Sequence, residues 1–255
     1  ISSTLVPVVN PDGSYPKPIS YGTYPLPNFY EQLKILDLNN NIFRLLGNAF
    51  IEVKVLEGLR FKSSYNTDLG FTDSNVFRPS TYGFFGTPGP TIPSATHNSN
   101  NYVSWLIENT LTYNKKINSH TFDFLVGHSA QKYDRNYRTI NGSNFANDDI
   151  PWIVGAATTT GTTNNNAYAI ESMFGRLNYD FKGKYLFSAS MRRDGSSRFG
   201  INKKYGTFPS ASVGWLASEE SFFPKSDNFS FMKFKAGYGV TGNNNIGDYT
   251  QTTTL

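Results

Sequence analysis

Apolar and polar residues alternate with a period of two in eight separate stretches, the pattern of strands that bury one face and wet the other. Between residues 47 and 56 the odd positions are Ala49, Ile51, Val53 and Val55, while Asn48, Glu52 and Lys54 fall between them. Past Glu57-Gly58, Leu59, Phe61 and Tyr65 alternate with Arg60, Lys62 and Ser64. A second pair follows: Val103, Trp105, Ile107, Leu111 and Tyr113 oppose Ser104, Glu108, Thr110 and Thr112, then Phe122, Phe124 and Val126 oppose Thr121 and Asp123. In the third pair Met173, Leu177 and Tyr179 oppose Ser172, Arg176 and Asn178, and Tyr185, Phe187, Ala189 and Met191 oppose Lys184, Ser188 and Ser190. The fourth sets Ala211, Val213 and Trp215 against Ser210, Ser212 and Gly214, then Phe234, Ala236 and Tyr238 against Lys233, Lys235 and Gly237.

The links between these strands sort the possible architectures. Within pairs they are brief, at 57–58, 115–118, 182–183 and a longer 219–228; between pairs they run over roughly 67–101, 131–167 and 194–205. Compact soluble domains seldom repeat loops beyond about 12–15 residues. Outer-membrane barrels alternate short periplasmic turns with long extracellular loops. The expected fold is therefore all-β, an antiparallel up-and-down transmembrane barrel wall with its polar face toward a lumen. Tyr113, Tyr179, Phe181, Tyr185, Phe222 and Phe223 lie beside the short turns, where an interfacial aromatic girdle belongs. Residues 1–41 read as a Pro-rich, loop-like approach, with barrel strands and long extracellular loops over 42–255. The Thr/Gly/Asn tract 158–166 reads as a mobile loop.

Composition supports this. Of 255 residues, 16% are aromatic and only 16% charged, which excludes a disordered chain and a charged helical bundle. No Cys is present, so disulfides, thiolate metal sites and thiol nucleophiles are excluded. The net charge of +4 is spread without a dense basic block, and no nucleic-acid partner is expected. No apolar run is long enough for a membrane-crossing helix, but a barrel strand needs only about 9–11 residues with one apolar face.

Catalytic and cofactor chemistry finds little support. Gly237-Tyr-Gly239-Val-Thr-Gly242 matches the dinucleotide fingerprint, yet Asn243-Asn-Asn after it is turn-forming, whereas the fingerprint requires a helix. His120 and His128 share a strand face but sit eight residues apart, too far to hold one metal ion. Asp148-Asp149 and Glu219-Glu220 are adjacent acids, which point apart more readily than they flank a substrate bond. Loop solvation or turn capping accounts for them, although Asp148 and Asp149 near Trp152 also suit contact with a sugar or peptide. For Arg192, Arg193, Asp194 and Arg198, an internal Arg–Asp network is favoured over a cationic rim for an anionic ligand or lipid phosphates. No catalytic residue, cofactor or metal site is expected.

Several strings resemble the SusC/RagA-like branch of TonB-dependent outer-membrane transporters. They are Arg176-Leu-Asn-Tyr-Asp-Phe-Lys-Gly-Lys-Tyr185, Arg192-Arg-Asp-Gly-Ser-Ser-Arg-Phe-Gly200, Gly206-Thr-Phe-Pro-Ser-Ala-Ser-Val-Gly-Trp215, Glu219-Glu-Ser-Phe222 and Met232-Lys-Phe-Lys-Ala-Gly-Tyr-Gly-Val-Thr-Gly-Asn243. The resemblance runs over roughly residues 42–247 and implies about eight strands of a barrel of about 22. It also implies that a plug domain and the closing C-terminal strands are not in this chain. Implied with it are import of an oligosaccharide or peptide, a SusD-like surface lipoprotein as lid, energy from TonB, and a bacterial outer-membrane lipid setting. Tyr82, Phe84, Tyr137, Asp148, Asp149 and Trp152 are the candidates for ligand or lid contact. Two other readings compete: a self-contained eight-stranded outer-membrane adhesin or binding barrel, and a soluble β-sandwich carbohydrate-binding module.

Overall fold

Each of the eight alternating stretches forms a strand. The computed structural model describes residues 8–16, 19–21, 24–26, 28–82, 91–200, 202–224, 226 and 229–248. A short hairpin, β1 (Ile19–Tyr21) and β2 (Tyr24–Leu26), precedes one helix, α1 (Phe29–Ile35). The sheet strands are β3 (Asp37–Leu56), β4 (Leu59–Arg78), β5 (Ser94–Ile117), β6 (His120–Phe145), β7 (Ala156–Phe181), β8 (Tyr185–Ser196), β9 (Tyr205–Leu216) and β10 (Lys233–Gly239). They pair in sequence order from β3 to β10 as one eight-stranded sheet. Among the described residues the sheet is not closed: β3 and β10 stand at its ends, each with a single neighbour.

The strands are longer than their apolar alternation indicated, and they absorb much of the predicted loops. The long links reduce to 79–93, 146–155 and 197–204, and the Thr/Gly/Asn tract 158–166 lies inside β7. Apolar residues such as Phe71, Val76, Phe77 and Ile140 are scattered through these extensions without strict alternation, so the period-two signal fades although the strands continue. Side-chain ladders hold them instead. Asn98 on β5 accepts from Thr139 at 2.8 Å and Tyr137 at 3.2 Å on β6, Arg135 donates to Asn100, and Asn144 donates to Thr158. Threonine adds intrinsic strand preference. At the other end of the chain, β3 begins at Asp37, ahead of the boundary expected at residue 42. Before it, Asn28 caps α1 by accepting from the backbone of Tyr30 and Glu31.

Tight turns join the strand pairs. The Phe181–Lys184 turn has positive φ at both Lys182 and Gly183, the mirror-image geometry that matches the right-handed twist of a hairpin. Gly58 turns β3 into β4 at φ +81°, and its carbonyl accepts from the Asn114 amide on β5. The link 217–232 between β9 and β10 breaks the short/long order seen elsewhere.

The chain divides into two compact units. The first comprises Ile1–Arg44, Gly70–Tyr102 and Arg135–Asn165. It holds the small buried cluster of the described residues, Phe77, Ala95 and Phe145, with Ile153 and Ala156 packed on it. The Phe77 and Phe145 rings meet edge to face at 5.4 Å. The second comprises Leu45–Leu69, Val103–Asp134 and Asn166–Leu255. Its apolar residues form exposed rows rather than a core.

Candidate functional site

Strand register in the second unit lines like with like across β7, β8, β9 and β10. Tyr179, Phe187, Val213 and Ala236 form one row, and Leu177, Ala189, Ala211 and Tyr238 the next. Much of this face is open: in these rows Val213 is 55% and Tyr238 80% exposed, and on the same face Phe234 is 49% and Ile51 of β3 69% exposed. Exposed apolar rows of this extent need an apolar surrounding.

The opposite face is wet and cross-linked. Asp123 on β6 accepts from Asn114 on β5 at 2.6 Å and from Asn178 on β7 at 3.2 Å. Ser188 donates to Asn178, and Ser190 meets Ser210 at 2.7 Å. Lys233 and Lys235 border a shallow hollow of about 300 Å³ on this face, with Asp123, Asn178 and Ser188.

Toward the tight turns the apolar face becomes an aromatic belt. Tyr113 stacks on Phe124, Phe122 lies 5.1 Å from Tyr179, and Trp215 stacks on Phe234 at 5.7 Å. The expected girdle residues Tyr113, Tyr179, Phe181 and Tyr185 belong to it; Phe122, Trp215 and Phe234 join from neighbouring strands. His120 lies tilted 4.7 Å from Phe181, stacks on Tyr179 at 5.9 Å and bonds its hydroxyl, which makes it a member of the belt.

Glu220 fastens the 217–232 link to this belt. Its carboxylate accepts from the Tyr185 hydroxyl at 2.6 Å and the Trp215 indole N–H at 3.2 Å, and pairs with Lys184 at 3.2 Å. The Tyr185 bond foremost, then those of Trp215 and Lys184, hold the carboxyl below the ordinary glutamate value. A carboxyl more acidic folded than unfolded stabilises the link above its unfolded value, and that contribution is lost as pH falls through the folded one. Trp215 fluorescence should therefore change on acidification below the ordinary glutamate range, and Glu220→Gln should abolish that step. A step of the same size in E220Q would assign it elsewhere.

In the first unit the sequence-expected contact residues divide. Tyr82 and Asp148 come close through Ser80: Asp148 takes the Ser80 amide at 2.8 Å and its hydroxyl at 2.7 Å, while the Tyr82 amide bonds Pro79. Both Asp148 oxygens are thus spent on holding two links together. Asp149 accepts from Asn147. Tyr137 lies in β6, not in a loop, and its hydroxyl bonds Asn98. Phe84 lies outside the described residues. Trp152 is 55% exposed and borders a hollow of about 300 Å³ with Asn75, His97, Ile140 and Val154. His97 was not singled out in sequence, because a lone His beside Thr and Asn carries no signal; its Nδ1 bonds Asn75 and its Nε2 faces Asp73 at 3.6 Å.

The glycine-rich Gly237–Gly242 string ends β10 and runs into irregular chain through 240–248, so no helix follows it. Arg192 pairs with Asp194 at 2.6 Å, as the internal-network reading requires; Arg198 pairs instead with Asp248 at 2.6 Å, outside the cluster, and Arg193 has no acid partner among the described residues.

A one-faced apolar sheet with tight turns at one end matches a known description. The family model for TonB dependent receptor-like β-barrels covers residues 6–254. The chain belongs to the TonB-dependent receptor β-barrel family. TonB-dependent receptor P39 of Formosa agariphila is 35% identical over 209 residues, covering 78% of this chain and 19% of that protein. TonB-dependent receptor SusC of Bacteroides thetaiotaomicron is 31% identical over 255 residues, covering 94% of this chain and 23% of SusC. The solved RagAB peptide transporter aligns with a TM-score of 0.81 at 24% identity, covering 92% of this chain and 27% of that one. That likeness speaks for the fold. The SusC/RagA-like resemblance is thereby supported, for a partial barrel in a family of receptors and transporters rather than enzymes. The chain spans about a fifth to a quarter of the length of the curated relatives it matches.

Proposed function

We propose that this chain is part of the wall of a TonB-dependent outer-membrane transporter that imports a large nutrient, an oligosaccharide or a peptide. A SusD-like surface lipoprotein serves as its lid, and TonB supplies the energy through a plug domain elsewhere in the longer polypeptide. The two-faced sheet carries this reading: exposed apolar rows on one side and a hydrogen-bonded polar wall on the other, in a chain of this family. The SusC relative and the RagAB fold support the branch.

Among the proposed contact residues, Trp152 and Tyr137 are available for ligand or lid, since Trp152 is exposed beside a hollow and Tyr137 stands on the ladder face of β6. Tyr82, Phe84 and Asp149 complete the proposed set, and Asp148 supports it by fixing the link. Trp152→Ala should weaken binding of the lipoprotein or ligand about tenfold, the range for a buried aromatic anchor. Asp148→Ala should act through loop order, visible as faster amide exchange at Ser80.

The test is deletion of the intact gene in its host, with uptake of labelled oligosaccharides and peptides compared before and after complementation. Loss of uptake of one class, with a lipoprotein co-purifying, supports the proposal. A full-length protein that stays soluble without detergent, or uptake unaltered for every polymer, sinks it.

A further inference from the structure

On the apolar face the character changes abruptly at one level. Along β8, Tyr185, Phe187, Ala189 and Met191 give way to Arg193; along β7, Tyr179, Leu177 and Met173 give way to Glu171; along β6, Phe122, Phe124 and Val126 give way to His128. Tyr205 at the start of β9 completes the group, with its ring against Gly195, its register partner. Eight residues separate Tyr185 from Arg193 on β8, about 27 Å along the strand and about 20 Å across a bilayer at the usual tilt, close to the height of a barrel's apolar band. Along β8 this level lies at the end opposite the tight Phe181–Lys184 turn.

The group is organised. Glu171 receives the Tyr205 hydroxyl on one oxygen at 3.1 Å and His128 Nε2 on the other at 3.0 Å, so both oxygens of the acid are engaged. Arg193 is different. Its guanidinium carbon lies 4.9 Å from the Tyr205 ring centroid, and among the described residues it makes no ion pair. Arg192 and Arg198 both have acid partners. Arg193 is therefore an exposed guanidinium propped on an aromatic ring, its donors without a hydrogen-bond partner among the described residues, at the edge of an apolar band. An arginine offers two parallel donors to a phosphate, and its stem can lie along apolar surface while the head reaches the polar layer.

We infer that Arg193, supported by Tyr205, binds the phosphate of an outer-leaflet lipid headgroup. The inference rests on the proposed membrane reading of this wall. Continuity with the apolar rows selects a lipid as the occupant, and the unpaired positive charge selects an anionic headgroup. Binding would fix the sheet's depth in the bilayer at β8 and β9.

The intact receptor, purified and placed in nanodiscs of phosphatidylcholine, tests this by titration with phosphorylated lipid A, with dephosphorylated lipid A, and with inorganic phosphate as competitor. The phosphorylated lipid should bind about tenfold more tightly than the dephosphorylated one, and Arg193→Gln should erase that ratio, as expected when a charge-assisted pair is lost. Arg193→Lys should retain part of it, and Arg192→Gln, on the opposite face, should leave it intact. A ratio unchanged in R193Q overturns the inference while the membrane reading stands. Competition by inorganic phosphate equal to that by lipid overturns the lipid assignment, and a receptor that fails to enter nanodiscs overturns both readings.

Discussion

Val213→Arg in the intact receptor should cost about 2 kcal/mol of stability in lipid, because a cation on a barrel's apolar face costs about 2–4 kcal/mol at the middle of the band and less toward its edge. Val213 sits in the row of Tyr179, Phe187 and Ala236 and is exposed to whatever surrounds the sheet. Three residues earlier, Ser210 lies on the opposite face against Ser190. Ser210→Arg should cost under about 1 kcal/mol, because it loses one exposed hydrogen bond and gains a hydrated charge. Urea titration of receptor folded into vesicles measures both. Equal penalties would mean that the two faces meet the same medium, and the wall reading would fail. A penalty larger at Ser210 would reverse the faces.

Gly58→Val should be as damaging for a different reason. A Cβ at residue 58 would clash with the Asn114 carbonyl oxygen, and φ there is +81°. Backbone cannot yield as a flexible side chain can, and the left-handed region itself costs about 1–2 kcal/mol for a residue with a Cβ. Together with overpacking of about 1–3 kcal/mol, the expected loss is about 3 kcal/mol. Gly183 separates the two contributions, since φ is also positive but nothing lies near its Cβ position. Gly183→Ala should therefore cost about 1 kcal/mol. If both substitutions had the same small effect, the contact between the Gly58 turn and β5 would not form in the membrane.

The faces and the order of the strands were legible because a sheet with one apolar side writes period two directly into the sequence. Ile51, Val103, Phe124, Phe187, Val213 and Phe234 all stand on the exposed apolar side that their parity indicated. The strand lengths were not legible. Asn98 on β5, Arg135, Tyr137 and Thr139 on β6 and Asn165 on β7 stand in stretches without strict apolar alternation, and a period-two pattern is blind there. Their ladders depend on partners tens of residues away, such as Asn165 with Asn136. Glu220 was similarly opaque, because its donors come from the start of β8 and the end of β9. Local sequence marked an acid pair in a turn; only register brought Tyr185 and Trp215 to it. Among the arginines the internal network was foreseeable for Arg192, with Asp194 two residues away, but the isolation of Arg193 follows from strand parity.

The bare margins of β3 and β10 bear on biogenesis. Hydrocarbon offers no water to peptide groups, and each one left unsatisfied there costs several kcal/mol. β3 alone carries 20 residues with a neighbour on one side only. On the proposed membrane reading, a ribbon of these eight strands alone in a bilayer would be expelled or degraded unless both margins were paired. Truncations of the gene should accordingly yield no leaky half-pores, only full-length product or none.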